Sequence, residues 1–362
     1  MRNIFKLDWV LLIAVALLVI IGLTALYSVS AVGDTMNLDH FKKQVVATII
    51  GFGLIFFFVS FDYRVLLEYS TKLYFAAIII LTAVFFLGTK VRGTTGWIGF
   101  GSFNFQPVEV VKLVMIIFLA SFLAKKKNAF EISTRLFVSF VLIFIPLALI
   151  IKQPDFGSAA IIISTWLGMI IMAGIDKKTI FILLTIAGVG IFSGSLVIKD
   201  YQKERLINFI NPEQDPRGSG YNVLQSIVAV GSGGVFGKGL GHGSQSQLNF
   251  LPEKHTDFIF AVIAEELGLF GSGMVLVLFG VVFYRIKETA RLARDNFGYL
   301  TAIGVIIMLF IQMFVNIGMN LGVAPVAGVP LPFVSYGGSS LIAVLASIGV
   351  IQSIYIRRMR VS

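Results

Sequence analysis

Asp257 stands where a polar stretch gives way to an apolar one. The run LNFLPEKHTDFIFAVIAEELGLFG, Leu248 to Gly271, puts its carboxylate at the mouth of a helix that opens at Thr256 or Asp257 and continues to about Tyr284. Two roles are open to it. As a helix cap it would accept backbone N–H bonds, which lower its pKa and weaken it as a base. Half-buried at a boundary between water and lipid, the same group is pushed the other way and takes up protons near neutral pH. Lys254 and His255 beside it add positive charge suited to an anionic substrate. Glu265 and Glu266 follow about 12 Å further along the helix, a depth at which paired acids face a cavity or a partner.

Other charged residues fall in links between apolar runs. GTKVRGTTGWIGFGSFNFQPVEVVKL, from Gly88, carries too many glycines for a helix through its centre, so it forms a looped segment. Its Trp97 and neighbouring phenylalanines suit a headgroup region, where aromatic rings are at home. Pro107 is a good first helical residue, and Glu109 and Lys112 follow three apart on one face. As a surface pair they would be worth a few tenths of a kcal/mol. Inside a span they are costly and point to a cavity. Lys152 and Asp155 share KQPDFGSA, which is ordinary turn chemistry or part of a polar site. The glycine-rich GSGGVFGKGLGHGSQSQ, Gly231 to Gln247, lets backbone approach a phosphate or serves as a flexible connector. Gly239 after Lys238 excludes a nucleotide-binding P-loop. His40, His242 and His255 are too scattered for a zinc site.

The elements that hold these residues are membrane spans. The 362 residues are 57% hydrophobic and only 13% charged, with mean hydropathy +0.91, whereas a soluble domain carries about a quarter charged residues. Continuous apolar runs exclude a β-barrel, and the absence of cysteine excludes disulfides and thiolate sites. The expected fold is an all-α polytopic membrane protein, a single integral domain over 1–362. Its ten transmembrane helices lie at 8–29, 44–61, 72–88, 108–124, 135–151, 157–173, 178–197, 256–284, 299–321 and 339–356. The first is a span and not a signal peptide, because its apolar run is too long. Lys and Arg concentrate in the short links on the side of both termini, such as Lys125, Lys126, Lys127, Arg357 and Arg358. Both termini are therefore expected in the cytoplasm, with one long extracytoplasmic loop, 198–255, between the seventh and eighth helices. Within it, Tyr221 to Val230 reads as a short helix in or re-entering the membrane. The net charge of +10 is a topology signal and not a nucleic-acid footprint. The Pro- and Gly-rich link NLGVAPVAGVPLPFVSYGGSS, from Asn320, is broken backbone that shapes the outer mouth.

Taken together, GWI at Gly96, QPVEVVKL at Gln106, QPDFGSA at Gln153, FINPEQDPRGSGYNVLQS at Phe209, GSGGVFGKG at Gly231, QSQLNFLPEKHTDFIFAVIAEELG at Gln245 and PLPFVSYGGSS at Pro330 resemble the SEDS family (shape, elongation, division and sporulation), closest to its rod-elongation branch. The chain departs from the family pattern at Gly96, where Arg is frequent, and at Val108, where Ser is frequent. The resemblance implies a peptidoglycan glycosyltransferase that polymerises lipid II at the outer face of the bacterial cytoplasmic membrane. Asp257 would be the general base in an inverting transfer that releases undecaprenyl diphosphate. Glu109, Lys112 and Trp97 would support it. Lys112, Arg205, Lys238 and Lys254 are the cations available to the leaving group, with a divalent ion (Mg or Mn) on Glu109 or Asp155 as a further option. The implied partners are a class B penicillin-binding protein, other membrane proteins of the elongation complex and the bilayer. A lipid II flippase, or a scaffold without catalysis, is the alternative; Glu265 and Glu266 are its best support.

Overall fold

The computed structural model describes residues 6–30, 38–91, 94–100, 103–124, 129–174, 219–248, 250–251 and 253–358. Helices α1 (Trp9–Ser30), α2 (Asp39–Ser60) and α3 (Arg64–Leu87) precede three strands, β1 (Thr89–Val91), β2 (Thr94–Phe100) and β3 (Phe103–Phe105). Then come α4 (Pro107–Leu123), α5 (Ala129–Lys152), α6 (Phe156–Met172), α7 (Ser219–Ser232), α8 (Ser244–Gln247), α9 (Ile259–Arg291), α10 (Asn296–Asn320) and α11 (Gly338–Ile356). Each expected span falls on a helix except 178–197, which lies outside the described residues. Among the described residues six helices (α1, α2, α3, α9, α10 and α11) are long and apolar enough to cross a membrane. The chain is a multi-pass helical membrane protein.

Small residues set the close packing, as they must where lipid removes the hydrophobic drive between helices. α2 lies against α11 with Gly51 facing the Leu345 side chain and Gly349 facing the Ile55 backbone. Gly304 of α10 admits Ile116 of α4 and Met169 of α6. α3 turns Phe75, Ile79 and Phe86 outward. At one end of the bundle Asp8 is buried and accepts from Arg285 Nε at 2.8 Å, while its backbone N–H donates to Gln352 Oε1 and its carbonyl accepts from Gln352 Nε2. Asp295 caps α10 there and accepts from Tyr63 Oη at 2.9 Å and Arg64 Nε at 3.0 Å.

Two expectations are corrected. The all-α reading missed an antiparallel meander in the 88–106 link, with Thr89 opposite Trp97 and Ile98 opposite Phe105. Thr, Trp, Ile and Phe favour extended backbone where glycine blocks a helix. The polar loop is also no plain loop. The short helix expected over 221–230 is present as α7, and the glycine-rich segment after it is packed rather than a loose connector. It docks at a break in α9, where Gly268 has φ +66°. There Lys238 N and Gly239 N donate to the carbonyls of Glu265 and Glu266, and Leu269 N donates to Gly234 O. A Cβ at Gly237 or Gly268 would strike the facing backbone, so glycine is required at both.

Candidate active site

Asp257 lies in the turn Glu253–Phe258, before α9 begins at Ile259. The cap position belongs to Phe258, which makes no side-chain cap bond, and Asn320 Oδ1 accepts from Ala261 N in the first turn. The expected start at 256 or 257 is therefore corrected to Ile259. The residue is half-buried. The backbone around it is held from outside the turn. His255 O accepts from Tyr336 N at 2.9 Å, and Thr256 O accepts from Ser335 Oγ at 2.6 Å. Asp257 O accepts from Asn316 Nδ2 at 3.1 Å and Asn320 Nδ2 at 2.9 Å. Thus three consecutive carbonyls are tied to α10 or to the broken segment before α11. That segment is itself fixed by Gln44 of α2, which donates to Ser335 O and accepts from Gly337 N. Phe333 within it sits at φ +66°, strain of the kind a rigid surround must compensate. Gly328 passes close to the carboxylate, since a Cβ there would come within 3.9 Å of Asp257 Oδ2.

A second polar cluster lies on α4 and α6. Pro107 opens α4 as expected, and Lys112 Nζ meets Glu109 Oε1 at 2.8 Å with both side chains buried. Such a buried pair is weak evidence of stability, because desolvation offsets its attraction. Asp155 caps α6. Its carboxylate accepts from Ser158 N and Oγ and from Gln106 Nε2. Burial holds its pKa above the usual carboxylate range, against the Ser158 bonds and the Lys112 charge; Glu109 adds to the rise. The clusters are neighbours, because Gly157 approaches the Ala327 carbonyl so closely that no Cβ fits, and Gly328 follows directly. Among the described residues no group of three or more His, Asp or Glu is placed to hold a metal. Glu109 is engaged by Lys112 and Asp155 by Ser158 and Gln106, a donor set that does not fit a divalent ion.

The remaining expected residues divide. Trp97 is half-buried on β2 and donates from Nε1 to Thr94 Oγ1 at 3.2 Å. Lys152 is exposed in the last turn of α5 and supplies none of the bonds to Asp155. Lys254 Nζ donates to Ser246 O at 2.7 Å; burial lowers its pKa, with the Glu266 charge opposing. Lys238 is corrected from an open cation to an ion pair with the buried Glu265, at 2.9 Å. Glu265 also accepts from Gln245 N and Ser246 N, while Glu266 accepts from Ser28 Oγ and Gln247 Nε2. The two acids face this loop and α1, so of the cavity or partner open to them each has found a partner. Arg205 lies outside the described residues. The histidines are less scattered than their spacing implied. His40 of α2 has its ring centroid 5.1 Å from that of His255 and 4.6 Å from Tyr336.

Sequence reasoning missed Gln44, Asn316, Asn320 and Ser335. One signal was available: Gln312, Asn316 and Asn320 recur every four residues in an otherwise apolar helix, a spacing that places amides on one stripe.

The FtsW/RodA/SpoVE family, described as cell cycle protein, matches residues 8–359. Stage V sporulation protein E of Bacillus subtilis is 38% identical over 354 residues, covering 96% of each chain. Peptidoglycan glycosyltransferase MrdB of Escherichia coli K12 is 38% identical over 353 residues, 97% of this chain and 94% of that one. A chain from a structure concerning coordination of polymerization and crosslinking by a peptidoglycan synthase complex is 31% identical, with TM-score 0.81 over 96% of this chain and 97% of that one. The rod shape determining protein RodA of Thermus thermophilus aligns at TM-score 0.73, 28% identity and 98% of both chains. With a family match over nearly its whole length and relatives this similar end to end, the chain belongs to the FtsW/RodA/SpoVE, or SEDS, family.

Proposed function

We propose that the chain is a peptidoglycan glycosyltransferase that polymerises lipid II at the outer face of the cytoplasmic membrane during cell elongation. The observation that carries the reading is the Asp257 turn, a half-buried carboxylate on backbone clamped by α10 and the 330–337 segment. Clamping of this kind keeps a catalytic group within reach of a productive geometry. The relatives named peptidoglycan glycosyltransferase support the same chemistry.

In the proposed reaction Asp257 takes the proton from the acceptor GlcNAc 4-hydroxyl while that oxygen attacks C1 of the donor MurNAc. The C1–O bond to the diphosphate breaks, and undecaprenyl diphosphate leaves with the electron pair, inverting the sugar from α to β. Lys254 and His255 supply positive charge beside the base, with Arg205 as a further cation, because charge developing on a leaving group is where fixed electrostatics contribute most. Glu109, Lys112 and Asp155 form the supporting cluster, and Trp97 is the proposed substrate contact. In this reading ten helices cross the membrane with both termini in the cytoplasm, and the meander, the 233–257 segment and the 321–337 segment face outward. The chain from the synthase complex supports a class B penicillin-binding protein as partner.

The test is direct. Purified chain with its transpeptidase partner, given labelled lipid II in detergent, should yield glycan polymer. No polymer, together with movement of lipid II across reconstituted vesicles, would replace this reading with transport.

A further inference from the structure

The deepest polar atoms of the bundle are not all paired. Glu109 uses Oε1 for Lys112, while its Oε2 is buried with no hydrogen-bond partner among the described residues. Gln312 of α10 is 1% exposed, and neither its Nε2 nor its Oε1 has one. Thr165 Oγ1 of α6 is in the same state. Each such atom costs about 1–3 kcal/mol if it stays unbonded, so three residues in one interface require an account.

Their positions supply it. α4 and α10 run antiparallel, with Gly304 against Ile116 and Met308 beside Lys112. One turn further, that register sets Gln312 level with Glu109. Lys112, Thr165 and Met308 line a partly open, otherwise apolar cavity of about 10 Å³, one turn along from Glu109 and Gln312, the space of one water. A metal cation is disfavoured there, because the Lys112 ammonium already stands 2.8 Å from the same carboxylate. Continuing up α10, the next two positions of the stripe are Asn316 and Asn320, whose amides hold the Asp257 carbonyl.

We propose that Glu109 Oε2, Gln312 and Thr165 share internally bound water, and that Gln312 is a positioning residue joining the Glu109–Lys112 pair to the Asp257 turn. The water supplies the donor that Glu109 Oε2 lacks among the described residues. Gln312 orders it and passes the position of the pair to Asn316, one turn above. The functional half of this inference rests on the glycosyltransferase reading; the water half does not.

The test is a double-mutant cycle on melting temperature in detergent, with Gln312→Met and Glu109→Gln, alongside polymerisation of labelled lipid II. Were Gln312 an isolated buried amide, its near-isosteric apolar replacement would be neutral or stabilising. The proposal expects Gln312→Met to lower the melting temperature, and the double variant to lose less than the sum by about 2 °C or more. It also expects Gln312→Met to reduce kcat at least tenfold with KM within twofold, and Gln312→Glu to recover part of the loss. An unchanged or raised melting temperature, or strict additivity with Glu109→Gln, would overturn the water site. A melting-temperature coupling without any change in kcat would overturn the positioning role. If Gln312→Met fails to fold, Thr165→Val in its place carries the same two expectations for the cycle. Wild type without polymerase activity counts against the glycosyltransferase reading alone, since the thermal cycle is read without it.

Discussion

At the scale of residues, backbone carbonyls do the positioning. Asn320 shows the economy of this: its amide nitrogen donates to Asp257 O and Asn316 O, and its Oδ1 accepts from Ala261 N in the first turn of α9. Asn320→Leu keeps the branched shape of the side chain and removes every one of those bonds, leaving a buried N–H without its acceptor. The expected cost is about 2 kcal/mol of stability, with a fall in polymerisation larger than that cost alone explains. Thermal unfolding and the lipid II assay, run on the same preparation, check both. A pH prediction belongs to Tyr63, outside the spans. Burial first, and then the Asp295 carboxylate, push its pKa from 10.0 to about 12. The folded state thus holds the phenolic proton more tightly than the unfolded chain. That stabilisation is present below pH 10 and is lost as pH rises towards about 12. Tyr63→Phe should flatten the fall in melting temperature across this window, and an identical fall in the variant would count against the assignment. Asp257 was legible in the sequence because an acid between a polar and an apolar run is conspicuous. Its clamps were not, since Ser335 and Gln44 act across 79 and 291 residues, and no local pattern records which carbonyl a distant amide will meet.

At the scale of elements, spans were read well and interruptions poorly. A continuous apolar run has few alternatives to a helix in lipid, so the described helices fall where hydropathy placed them. The meander and the docked glycine segment escaped because glycine excludes helix without naming what replaces it. Gly268 is the instructive case. In sequence it is one glycine among 36; in the structure its left-handed backbone opens α9, and the 233–239 segment bonds to the carbonyls freed there. Glu265 and Glu266, read as groups facing a cavity or a partner, are the anchors of α8 and its approach. Gly268→Ala adds a Cβ to a residue with φ +66° and drives it into Gly237 N. The expected result is a loss of about 2 kcal/mol or more and faster proteolysis between 233 and 247. Unchanged cleavage there would mean that the segment does not depend on the break.

At the scale of the molecule, the two ends of the bundle differ in construction. One is closed by compact pairs, Asp8 with Arg285 and Gln352, and Asp295 with Tyr63 and Arg64. The other gathers the meander, the Asp155 turn, the docked glycine segment, the Asp257 turn and the irregular link before α11. Irregular backbone at such depth survives only when protein or a watery cavity surrounds it, and here the polar side chains that satisfy it come from α2, α10 and α11. The proposed chemistry belongs to that end of the bundle, with Asp257 as its base. The most direct measurement is the rate of lipid II polymerisation by Asp257→Asn beside wild type, each bound to the transpeptidase partner and matched for melting temperature. A lost general base predicts a fall of about 10²–10⁴; a rate within twofold of wild type would contradict the claim.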